Sequence, residues 1–173
     1  MKKKQIVDLI IAIFLIIAGT VLLVFPIINI LNITWIFCSV LILYILLNFI
    51  KFFLTRESKD IEGLLVSIAS IITLILALKI DISLKPWNLA LTLFTWIVLM
   101  SLIKLKKGDY YNDRHNKMWI LQIITLMIFI LAGLLSVINL YYTSDVQIIV
   151  LGYFFFINGI LELVDPITIY LRG

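Results

Sequence analysis

Asn158, Glu162 and Asp165 stand four and then three residues apart in the apolar stretch GYFFFINGILELVDP, residues 152–166, and that spacing places all three on one face of a helix. Ionised side chains are costly in hydrocarbon, and where they occur they pair with one another or line ion and proton paths. Asp8 and Asn48 fall at the same depth on apolar stretches of their own. The candidate polar cluster is therefore Asp8, Asn48, Asn158, Glu162 and Asp165. Lys51 and Lys104 end two of the stretches at that level, and their long stems allow the ammonium groups to reach it. Two chemistries stay open for the cluster: tethering helices to one another, or taking up and releasing a proton.

Catalytic patterns are missing elsewhere in the chain. His115 is the only histidine and lies in a charged segment beside Asp113 and Arg114, where a solvated side chain is expected. A six-helix intramembrane serine protease needs a Gly-x-Ser nucleophile and a histidine in the membrane, and the chain has neither. The His and Arg clusters of lipid-phosphate phosphatases, the grouped aspartates of metal-dependent lipid transferases and the glycine loops that bind phosphate are also absent. The lone Cys38 excludes an internal disulfide and a cysteine zinc site. We therefore expect no enzyme, no cofactor and no metal site.

The elements that position the cluster follow from hydropathy. Of the 173 residues, 64 % are apolar, against roughly 45–50 % in soluble domains, which marks an integral membrane protein. Six stretches approach the roughly 20 residues that cross a bilayer: 9–28, 33–54, 63–80, 87–103, 118–140 and 146–165. The third and fourth are the shortest. The first follows Lys2, Lys3 and Lys4 but is too long for a signal peptide and lacks a small-residue cleavage site, so it reads as an uncleaved helix.

A net charge of +4 is spread over short segments between apolar stretches rather than gathered on one soluble face, which argues against nucleic acid. Twelve of the fourteen Lys and Arg residues fall at the N-terminus, in the second and fourth loops and in the tail, and only Lys79 and Lys85 fall on the other side. Positive charge is retained in the cytoplasm, so both termini are expected there. Trp35, Trp87, Tyr141 and Tyr142 then mark the outer boundary, and Tyr110, Tyr111, Trp119 and Tyr170 the inner one. The segment 104–117, KLKKGDYYNDRHNK, reads as a cytoplasmic loop that sets orientation or attracts anionic headgroups.

Brief outer loops and longer inner ones predict an all-α membrane protein, one transmembrane domain over 1–173, built as three tandem hairpins at about 5–54, 61–104 and 118–166. A shift of 114 positions lays the third hairpin on the first: Ala18-Gly19 falls on Ala132-Gly133, Asp8 on Gln122 and Asn48 on Glu162. The middle hairpin matches loosely, with Ala69-Ser70 for Ala-Gly and Ile103-Lys104 for Ile50-Lys51. Small residues let helices approach closely in lipid. Gly19, Gly133, Gly152 and Gly159 are thus the expected packing positions, with Ala69, Thr73 and Ala77 as a stripe on the third helix. A groove lined by these glycines is the alternative, and Gly63, at a helix entrance, is expected to be more tolerant.

Three tandem hairpins, an Ala-Gly in the first helix of a hairpin and Gly152-x6-Gly159-Ile160-x-Glu162 in the second resemble the HdeD-like family of small bacterial acid-resistance membrane proteins. In the first hairpin Cys38, Ile45 and Asn48 replace the two glycines and the glutamate. The resemblance implies a non-enzymatic inner-membrane protein with a role in acid or envelope stress. The competing expectation is a small transporter or channel that uses Glu162 and Asp165. The partner implied is the lipid bilayer; self-association and protein partners stay open.

Overall fold

The computed structural model describes residues 3–24, 33–55, 61–82, 85–142 and 146–172. They form six α-helices: α1 Lys3–Val24, α2 Ile33–Thr55, α3 Glu62–Lys79, α4 Pro86–Asp113, α5 Met118–Tyr142 and α6 Gln147–Arg172. In a bilayer each backbone polar group must be satisfied within the chain, and a helix does this locally. All six are long and apolar enough to cross a membrane. Even α3, with 18 residues, spans about 27 Å at 1.5 Å per residue. Residues 25–28 of the first expected span lie outside the described residues, as do Lys2, Arg56 and Lys59 of the charge tally and the side chains of Lys3, Tyr142, Tyr170 and Arg172.

Helix ends differ from the hydropathy boundaries wherever charged residues face protein. α1 begins at Lys3 rather than near residue 9, and α4 continues through Asp113 rather than ending at 103. Most of the expected loop 104–117 is therefore helix, and only 114–117 make the turn. There His115 adopts φ 51°, the left-handed conformation that ends helices. The His115 N–H donates to the Asn112 carbonyl at 2.8 Å and the Asn116 N–H to Tyr111 at 3.0 Å. The Met118 N–H then donates to Asn116 Oδ1 at 3.0 Å, which caps the start of α5.

Each helix packs on its neighbours in sequence, and α6 returns to α1, so the six close a ring. The most extensive packing joins α1 to α6, α4 to α5 and α2 to α3. Close contact thus runs between the tandem hairpins more than within them, and glycine explains why. A Cβ on Gly19 would lie 2.7 Å from the Gly152 carbonyl oxygen, one on Gly152 3.0 Å from the Gly19 oxygen, and one on Gly159 2.7 Å from the Ile16 nitrogen. The α1–α6 seam is backbone against backbone. A Cβ on Gly63 would lie 2.6 Å from the Asn48 carbonyl oxygen, so its place at a helix entrance does not make it tolerant; it is where α3 touches α2. Gly133 differs, because its neighbour is the Ile97 side chain. Ala69, Thr73 and Ala77 are buried as a stripe on α3.

Inside the ring the aromatic side chains interlock. Trp96, fully buried, meets Tyr44 and Phe154 edge-on at 5.6 Å and Phe155 at 6.1 Å, while Phe129 and Phe37 extend the cluster. The Trp96 Nε1–H donates to Ser70 Oγ at 3.3 Å, which satisfies its one polar atom. Outward, Ile6, Ile10, Ile13, Ile17, Val21 and Val24 form a stripe along α1 that is 41–61 % exposed. Such a surface suits hydrocarbon.

Candidate functional site, an ion-paired ring at one end of the bundle

The N-terminal parts of α1, α3 and α5 and the C-terminal parts of α2, α4 and α6 gather at one end of the bundle, and each carries polar residues into the ring. Lys51, on α2, has a side chain only 4 % exposed and meets Asp8 of α1 at 2.7 Å and Glu62 of α3 at 3.3 Å. Glu62 is the hub. It also takes Lys4 of α1 at 3.1 Å and Lys107 of α4 at 2.8 Å. Lys107 continues to Asp165 of α6, and Asp165 accepts a hydrogen bond from Gln122 Nε2 of α5. Lys104 donates to Glu162 at 2.6 Å and rests over the Phe129 ring. Lys4, Lys51, Lys104 and Lys107 balance Asp8, Glu62, Glu162 and Asp165 in formal charge.

Of the five expected cluster members, three join this network: Asp8, Glu162 and Asp165. Asn48 sits beside it, but its Nδ2 donates at 2.9 Å to the Tyr44 carbonyl of its own helix. Asn158, 1 % exposed, is one turn deeper than Glu162, and neither its amide oxygen nor its nitrogen has a hydrogen-bond partner among the described residues. Its neighbours along the buried face of α6 are Phe154, Phe155 and Leu161, so it stands between the aromatic layer and the ions. An unsatisfied buried amide costs about 1–3 kcal/mol.

Hydropathy hid Glu62 and Lys107, because both border segments that read as loops. A signal for the network did exist. Lys51 and Asp165 are themselves 114 positions apart, so the contacts Asp8–Lys51 and Gln122–Asp165 are one contact repeated, with the acid moved from the first helix of the hairpin to the second. The repeat pairs Ile11 and Thr125, Asn48 and Glu162, and Lys51 and Asp165 all line one central cavity of about 20 Å³, room for about one water molecule. Tyr44, which meets Trp96 edge-on, also lines the cavity and joins it to the aromatic layer.

No family model matches the chain, and neither does any curated protein or solved structure. Chemistry must therefore be read from the geometry. Among the described residues no group of three or more His, Cys, Asp or Glu side chains could hold a metal ion; lysines stand between the carboxylates.

Proposed function

We propose that the chain is a non-enzymatic, multi-pass protein of the bacterial inner membrane, with both termini in the cytoplasm and a supporting role in acid or envelope stress tolerance. One observation carries this reading: a continuous set of lysine–carboxylate and amide contacts links all six helices at the end where the basic residues concentrate. Removing one partner of a buried ion pair is expensive, so such a network holds the helices in one arrangement and resists their slipping apart. The aromatic layer around Trp96 supports a closed bundle over an open conduit. The resemblance to the HdeD-like family and the excess of Lys and Arg at this end support the compartment and the orientation.

A second reading, a small transporter or channel that uses Glu162 and Asp165, is favoured by the unpartnered amide of Asn158 beneath them. One experiment separates the two. Proton flux into liposomes and acid survival of a deletion strain are measured for the wild type and for Glu162→Gln, which keeps the shape and most of the hydrogen-bonding capacity. The tethering reading expects no flux and survival close to the wild type. A folded, abundant Glu162→Gln protein that has lost a flux or survival phenotype overturns it in favour of proton handling.

A further inference from the structure

At the end of the bundle opposite the ion-paired ring, an apolar groove of about 360 Å³ lies between α4 and α5. Mid-membrane packing holds these two helices together where Gly133 receives the Ile97 side chain. Nearer the membrane surface, Ala90, 1 % exposed, gives the groove a small-residue floor, and Phe94 and Ile138, 42 % and 53 % exposed, form its open walls. Trp87 of α4 and Tyr141 of α5 meet edge to face at 5.5 Å at its mouth. Tryptophan and tyrosine of this kind settle at the headgroup level.

Charge at the mouth selects the occupant. Lys85, exposed, is the residue from which α4 starts, two positions before Trp87. Pro86 has no N–H and the Asn88 N–H donates to the Lys85 carbonyl at 3.0 Å, so the Lys85 ammonium itself supplies the positive charge for a phosphate oxygen at this level. A positive mouth above an apolar slot complements a phospholipid: one acyl chain between α4 and α5, the phosphate at Lys85. A second copy of this chain fits less well. A two-fold pair formed through this face would use the same patch twice and so bring two Lys85 side chains together.

We propose that the α4–α5 groove binds one anionic phospholipid from the leaflet on the far side of the ion-paired ring. The test is native mass spectrometry of the purified full chain in detergent with added phosphatidylglycerol, for the wild type, Ala90→Phe, Ile138→Trp and Lys85→Gln. Ala90→Phe fills the groove from its floor. Ile138→Trp fills it from an exposed wall, so folding is preserved even if the buried change is not tolerated. The wild type is expected to retain one phosphatidylglycerol per chain, and the filled variants to bind it at least about tenfold more weakly. Lys85→Gln should weaken retention about fivefold, the worth of one basic residue at a membrane surface. Equal retention by the wild type and Ile138→Trp overturns the proposal. So does insensitivity to Lys85→Gln, and so does a dimer that either filled variant breaks.

Discussion

Gly19→Ala is the sharpest probe of the α1–α6 seam. The added methyl would lie 2.7 Å from both the Gly152 carbonyl oxygen and the Phe156 Cα, where carbon contacts are comfortable only at about 3.5–4.0 Å. Neither neighbour is a side chain that can rotate away, so the two helices must part by about 1 Å. Gly152 and Gly159 make the same kind of contact along the same seam, and parting loosens those as well. Overpacking costs about 1–3 kcal/mol, and a rigid backbone contact belongs at the upper end. Alanine's better helix propensity returns up to about 1 kcal/mol. A net loss of about 2–3 kcal/mol corresponds to a fall in Tm of roughly 4–12 °C for a chain of this size. The assay is thermal unfolding in detergent, with three comparison variants. Gly63→Ala meets the Asn48 carbonyl and should fall with Gly19→Ala. Gly133→Ala meets the Ile97 side chain rather than backbone, which can yield by a small shift of its Cδ1 end even though χ1 is stiff, and should lose less. Gly108→Ala, 3.4 Å from Ile123 Cδ1, should melt at or above the wild-type temperature. The reasoning is refuted if Gly19→Ala melts like Gly108→Ala, or if Gly133→Ala loses as much as Gly19→Ala.

Other outcomes follow from the ion-paired ring and the aromatic layer. Glu62→Ala takes one carboxylate contact from each of Lys4, Lys51 and Lys107, although Lys51 keeps Asp8 and Lys107 keeps Asp165, and should cost about 3 kcal/mol, whereas Glu162→Ala, which touches Lys104 alone, should cost less; denaturation in detergent gives the order. Lys51→Met should cost a comparable amount, because it strands the buried Asp8; adding Asp8→Asn should restore part of that loss, and an additive double variant would show that Asp8 does not depend on Lys51. Trp96→Ala should cost about 3–5 kcal/mol, and Trp96→Phe, which keeps a ring but gives up the bond to Ser70, distinctly less. For orientation, reporter fusions near residues 30, 83 and 143 should score outside and those near 58 and 110 in the cytoplasm. A cytoplasmic signal at 83 would contradict the six-span reading.

Six spans could be read from the sequence because a bilayer leaves an apolar segment of about 20 residues few other conformations. The glycine seam was readable for a similar reason: without a hydrophobic force between helices, small residues mark close approach. Gly63 was misjudged, since neighbouring sequence says nothing about which backbone passes over it. Hydropathy also stopped α4 ten residues early, at 103, because it scores Lys104 and Lys107 as solvent-seeking, while in the fold Glu162, Glu62 and Asp165 receive them. Asn48 looked like a cluster member from its depth alone, yet its amide turns back to its own helix. The 114-residue repeat carried more than it first yielded, because extending it from Asp8 and Gln122 to Lys51 and Asp165 points to the contact itself.

The return of α6 to α1 has a consequence for biogenesis. The most extensive helix contact in the bundle joins α1 to α6, so the ring cannot close until α6 has been made. Until then Lys104 and Lys107 are present without Glu162 and Asp165, the α6 carboxylates that they meet in the closed bundle. The sixth helix brings Glu162 and Asp165 together with Gly152 and Gly159 in one step, so ion pairing at one end of the bundle and closure of the α1–α6 seam coincide.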